Sequence, residues 1–111
     1  MDAGRLDRRV SLLRASTLST NDFNEAVTTW RVLASVAANV VPVSDGERIR
    51  AGETLSSMMS RFTIRYSSTV ADLDPRDRIS YDGRQYDIRG VKEVGRREFL
   101  EITAAARAEA P

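Results

Sequence analysis

Cysteine and histidine are both absent from the 111 residues. The first absence excludes a disulfide scaffold, thiolate zinc sites and cysteine nucleophiles. The second removes the commonest general base and the commonest transition-metal ligand. An excess of charge of one sign is missing as well: 17 Lys+Arg stand against 16 Asp+Glu, a net charge of +1. That balance argues against a protein held on nucleic acid by a strongly basic surface. No apolar run approaches the roughly 18 residues that a membrane span needs, so no membrane partner is expected. The stretch Met1 to Arg9 is polar and charged without an apolar core, so no signal peptide is expected and the chain is placed in the cytoplasm or in something assembled there. With no internal repeat, low-complexity tract or long linker, residues 1–111 are read as one domain of ordinary composition, 41% hydrophobic and 30% charged. Composition therefore leans away from an enzyme, and no catalytic residue, cofactor or metal ligand is expected.

What is present is mainly β pattern. Lys92 is the single lysine, so nearly all basic residues are arginine, a residue suited to bidentate contacts but also favoured by GC-rich coding. Arg61-Phe62-Thr63-Ile64-Arg65-Tyr66 alternates polar and apolar residues, as a half-buried strand does. Arg78-Ile79-Ser80-Tyr81 and Arg84-Gln85-Tyr86-Asp87-Ile88-Arg89 alternate likewise and flank Asp82-Gly83, a hairpin pair suited to the two positive φ angles of a type I′ turn. Gly90-Val91 interrupts the alternation and predicts a bulge or strand end. Val94-Gly95-Arg96-Arg97 predicts a turn into the strand Glu98 to Thr103, with Leu100 and Ile102 inward.

The first half is less regular. Arg9 to Arg14 predicts a strand with Val10 and Leu12 inward, and the Ser-, Thr- and Asn-rich stretch Ala15 to Ala26 predicts a long hairpin connection. Val27 to Val43 is β-prone throughout. Seventeen residues at about 3.3 Å each would span roughly 56 Å, too long for one straight strand, so a bend or break is expected near Ala34-Ser35 or Ala37-Ala38. Between 44 and 57 the pattern fails: Ser44-x-x-Glu47 has capping-box spacing, while Gly46 and Gly52 weaken a helix. This segment is expected to be one or two helical turns or a mobile loop. Ala104 to Pro111 is helix-permissive and expected to fray unless a partner holds it. The fold class expected is all-β, a small antiparallel barrel or sandwich with one long loop or short helix at about 44–57.

Three groups of residues carry candidate chemistry. Asp72-Leu73-Asp74-Pro75-Arg76-Asp77 begins like a calcium loop but carries Arg76, Asp77 and Gly83 where that loop needs an oxygen ligand, glycine and glutamate, so it is read as a solvated acidic turn. The carboxylates Asp87, Glu98 and Glu101 sit on outward strand positions, the pattern of a solvent face rather than of a hydrolase acid pair. Arg61, Arg65, Arg78, Arg84 and Arg89 are outward too, but Tyr66, Tyr81 and Tyr86 fall on the opposite face. A single-stranded nucleic-acid-binding barrel, the alternative function, needs arginines and stacking aromatics on one face.

The order of these motifs resembles the phage head–tail joining family, also called head-completion or stopper proteins. The similarity rests on Gly4-Arg5-Leu6-Asp7-Arg8-Arg9-Val10 at the start and on Asn21-Asp22-Phe23-Asn24-Glu25 before the Trp30 strand, with Asn24 where glycine is often found. It continues through Arg61 to Tyr66, Asp77-Arg78-Ile79 and Tyr81 to Val91, and covers nearly the whole chain. The resemblance implies a small β-barrel acting in a homo-oligomeric ring, with a portal or adaptor above and a tail terminator or tail tube below. It implies a connector that closes the head of a tailed phage or phage-like gene-transfer particle assembled in the bacterial cytoplasm, and that retains packaged DNA without sequence-specific binding. Two site expectations follow from it. Glu47, Arg48, Arg50 and Glu53 in the 44–57 segment face the channel or the neighbouring ring, the alternative being a passive surface loop; Leu6, Asp7, Arg8 and Arg9, with the tail from Ala104, dock on partners.

Overall fold

Alternating side chains settle most of the fold, because each apolar set must face one interior. The computed structural model describes residues 6–20, 23, 26–43 and 59–107. Among the described residues there are six antiparallel strands: β1 (Arg8–Thr20), β2 (Ala26–Pro42), β3 (Met59–Arg65), β4 (Arg78–Tyr81), β5 (Arg84–Val94) and β6 (Phe99–Ala106). They close into a barrel in the order β1-β2-β3-β6-β5-β4, and β4 returns to β1 through Ser11–Ser80, Leu12–Ile79 and Leu13–Arg78. The expected all-β antiparallel architecture is therefore met, as a barrel. Residues 44–57 lie outside the described residues.

The core is what alternation predicts. Val10, Leu12, Ala38, Ile64, Ile79, Ile88, Leu100, Ile102 and Ala104 are buried around Phe62. The Phe62 ring meets Tyr86 edge-on at 5.1 Å and Tyr81 at 5.9 Å, a geometry favoured by the ring quadrupoles. The connection between β3 and β4 adds a plug: Val70 and Leu73 are buried in the same core, and successive backbone bonds, Val70 N–H to Ser67 O and Leu73 N–H to Val70 O, fold the segment inward. Asp82 and Gly83 have φ of 52° and 78°, the expected type I′ turn. A second turn at Gly95 (φ 71°) and Arg97 (φ 56°) joins β5 to β6.

Several expectations are corrected. Ala15 to Thr20 is not loop but strand, paired from Ala15–Trp30 to Thr20–Ala26; the turn-prone serines and threonines here complete backbone pairs, and the Thr29 hydroxyl donates to Ser16 O at 2.8 Å. β2 is not broken. It runs unbroken through 17 residues, pairing with β1 alone over 26–31, while a register shift between Leu12 and Leu13 leaves Leu33 unpaired, one residue before the bend or break expected at Ala34-Ser35. A further shift skips Leu18 on β1, and the one predicted near Gly90 skips Arg89 without ending β5. Ala104, Ala105 and Ala106 are strand, with the first two buried; small side chains fit where β6 lies between β3 and β5, and pairing overrides their helix propensity. Residues 108–111 lie outside the described residues.

The register gives the molecule two unlike ends. β1 meets β4 only through Leu13 and β2 meets β3 only from Ala38 onward. The hairpin beyond these pairings, Arg14–Thr20 with Ala26–Arg31, is thus a two-stranded arm leaving the barrel. The 67–77 plug and the Gly95 turn share the arm end. The opposite end carries Arg8, the Asp82-Gly83 turn and Arg107, and there the chain leaves at Val43 and returns at Met59, joined by Val43 N–H to Met59 O at 2.9 Å. Phe62→Ala is expected to lower stability by about 3–5 kcal/mol, measured by denaturant unfolding, because the cavity opens where three aromatic rings meet.

Candidate functional site

At the arm end lies a cleft of about 390 Å³ lined by Arg14, Ala15, Asp72, Asp74, Arg76 and Asp77. Its walls come from the root of the arm and from the plug, so it brings together residues far apart in sequence. Arg14 Nε and Nη2 donate to the two Asp77 oxygens, both at 3.1 Å. Nη1 and Nη2 also donate to the two Asp72 oxygens at 3.1 Å. One guanidinium thus serves two carboxylates, one nearly buried (Asp77 side chain 5% exposed) and one at the surface (Asp72 69%). Asp74 N–H donates to Asp77 Oδ2 at 3.2 Å, and Asp74 in turn holds Arg76 through its backbone N–H and its side chain at 2.8 Å each.

This corrects the reading of Asp72 to Asp77 as a solvated turn. Asp72, Asp74 and Arg76 do reach the surface, but Asp77 is buried because a cation from β1 pairs with it. The cation that Asp72 and Asp77 share is Arg14, 63 residues from Asp77 in the chain. The hydrogen bonds that Arg14 donates to the side chains of Asp77 and Asp72 hold its guanidinium above its ordinary range. Arg14 holds the Asp72 carboxyl below its ordinary range, and Arg76 does the same for Asp74. A general acid needs the opposite shift, so these two carboxylates are suited to ion pairing.

Several other outward charges pair across strands. Arg61 lies 3.8 Å from Glu101, and Asp87 accepts from Arg107 at 2.9 Å and faces Arg78 at 3.5 Å. Asp87 and Glu101 therefore answer separate arginines, and Glu98 lies at the Gly95 turn; the three do not converge on one pocket. Tyr86 is buried and Tyr66 and Tyr81 pack against the core, so the tyrosines do not form a stacking face with Arg65, Arg84 and Arg89. Arg78 instead lies over Trp30, 4.0 Å from the ring centroid, and Arg65 over Phe99 at 5.9 Å.

Of the partner-docking residues, Leu6 is half-buried and Asp7, Arg8 and Arg9 are exposed at the end opposite the arm. Asp7 and Arg8 stand 4.0 Å apart, and Arg9 Nη1 donates to Ser35 O at 3.4 Å. Glu47, Arg48, Arg50 and Glu53 lie outside the described residues, but the flanking Val43 and Met59 open at that same end. Exposed large apolar side chains sit at both ends: Phe23 (82%) at the arm tip, Val32 (59%) near its root, and Val41 (48%) toward the end where the chain leaves at Val43. The arm and the Arg14 cluster were both missed in the sequence, where Arg14 read as a strand end and residues 15–20 as loop.

A family model described as phage head completion protein matches residues 1–107. Among solved structures, the solution structure of protein SF1141 from Shigella flexneri 2a is similar with a TM-score of 0.75 and 28% identity, covering 99% of this chain and 100% of that one. A chain of the virion of a native gene transfer agent particle shares the fold with a TM-score of 0.63 and 24% identity, covering 94% of this chain and 96% of its own. No curated protein sequence matches the chain.

The lowered Asp72 and Asp74 carboxyls fix a direction in pH. A carboxyl whose folded pKa lies below its ordinary 3.8 adds stability above that value and loses it as pH falls toward the folded pKa. Unfolding measured by urea from pH 7 downward is expected to show stability falling below about pH 4, and Arg14→Ala is expected to flatten the part of that fall due to Asp72.

Proposed function

The chain belongs to the phage head completion protein family, a family of virion structural proteins, and from that premise we propose that it forms a homo-oligomeric ring between the portal or its adaptor and the tail, closing the head and retaining packaged DNA. The match along residues 1–107 carries this reading. The shared fold of a chain in a gene transfer agent virion favours a place within such a particle.

The geometry supports it in two ways. The barrel has unlike ends, one with the arm and plug and one with the N-terminal segment, Arg107 and the exit toward 44–57. A part joining two different neighbours needs unlike ends, and identical subunits joined head to tail close into a ring when the rotation between them closes. Paired surface charges and a net charge of +1 also suit a channel through which DNA passes without sticking. In this reading Glu47, Arg48, Arg50 and Glu53 face the channel or the adjoining ring, and Leu6, Asp7, Arg8 and Arg9 dock on a partner from the same end.

Particles produced without this chain are expected to have filled heads that leak DNA and lack tails, seen by electron microscopy and nuclease sensitivity. Complete, DNA-retaining particles would overturn the reading. Deleting Arg48–Glu53 is expected to leave a folded protein but give leaky or tailless particles, and normal particles would remove the role given to that segment.

A further inference from the structure

The register that closes the barrel continues beyond it in another form. After Ser11–Ser80, Leu12–Ile79 and Leu13–Arg78, the next opposed positions are Arg14 and Asp77. Here the backbone ladder stops and side chains take over, with Arg14 Nε and Nη2 each donating to Asp77 at 3.1 Å. One residue along, Arg78 points to the opposite face, as strand alternation requires. Its guanidinium reaches across β1 to Trp30 of β2, 4.0 Å from the ring centroid. Trp30 is opposed to Ala15, and Arg31 to Arg14, so both contacts fall on the first pairs of the arm. Arg78 is itself oriented, donating to Gln85 Oε1 at 3.1 Å and lying 3.5 Å from Asp87.

We propose that the consecutive residues Asp77 and Arg78 form a two-sided clamp that fixes the angle of the β1–β2 arm on the barrel: Asp77 holds β1 through Arg14 on one face, and Arg78 holds β2 through Trp30 on the other. A two-stranded ribbon is barely stable alone and twists strongly, so its direction must be set at the root. The seven residues Arg14–Thr20 reach about 23 Å at about 3.3 Å each, and a swing of about 10° moves the tip by about 4 Å. Ordered interfaces change by about 1 Å on association, so an arm of this length needs a fixed root to land on a neighbour. That consequence rests on the ring reading; the clamp rests on the fold alone.

The absence of native cysteine makes the test direct. Spin labels at Thr28→Cys on the arm and Glu93→Cys on the barrel, both exposed positions, report the arm angle in the isolated full-length protein. A single narrow distance distribution is expected without further substitution. Arg14→Lys, which keeps the charge but loses the fork, and Trp30→Leu, which keeps apolar bulk but loses the ring, are each expected to at least double its width, with the combined variant widest. The amide spectrum of β3, β5 and β6 should stay unchanged, separating a loosened arm from a loosened barrel. Distributions as narrow in both variants as without them would overturn the clamp, as would broadening only together with loss of the barrel spectrum. No particle is needed, so the ring reading stands or falls separately.

Discussion

Three opposed residue pairs between β1 and β4, Ser11–Ser80, Leu12–Ile79 and Leu13–Arg78, turn a six-stranded sheet into a barrel. Without them β1 and β4 would both be open edges, with unpaired backbone groups and an exposed apolar face. Val10, Leu12 and Ile79 would lose their burial together. A seam of three pairs is short, and the chain reinforces it from the arm end. The plug sets Val70 and Leu73 beneath the core, and Asp77, the residue just before the seam, binds Arg14, the residue just after it. Barrel closure, burial of the plug and direction of the arm are therefore one problem solved at one place.

Much of this was legible in the residues. Alternation in 61–66, 78–81, 84–89 and 98–103 gave strands with the correct inward faces, and Asp82-Gly83 gave its turn, because those signals are local. Residues 15–20 were misread because serine and threonine favour turns when alone and accept strand geometry once a partner strand supplies the hydrogen bonds. The extra residues Leu18 and Leu33 were invisible for a related reason: a bulge is a relation between two strands, and one strand's sequence does not contain it. The alanines from Ala104 were misread because propensity yields to pairing inside a sheet.

The Arg14 cluster lay further from reach. Its aspartates lie 58 to 63 residues from Arg14, and only the antiparallel register places Arg14 opposite Asp77. The sequence signal, an acid directly before the Arg78 strand and an arginine two residues after the inward Leu12, becomes meaningful only once β1 and β4 are known to pair. The near-equality of acids and bases likewise takes on structure: cross-strand and loop pairs such as Arg61–Glu101, Arg107–Asp87 and Arg14–Asp77 use both signs together. The excess of arginine over lysine finds partial employment in two-pronged and stacked contacts that a lysine does not reproduce.

A barrel with unlike ends, a braced arm and ion-paired surfaces suits a part whose task is to fit between others, in keeping with membership of the phage head completion family. The most direct measurement is electron cryomicroscopy of intact particles carrying this chain, with symmetry resolved around the head–tail axis. The account predicts a closed ring of these barrels between portal and tail, with the arm ends and the Arg8 ends facing different neighbours. Density for the chain elsewhere in the particle, or single unconnected copies at the joint, would contradict it.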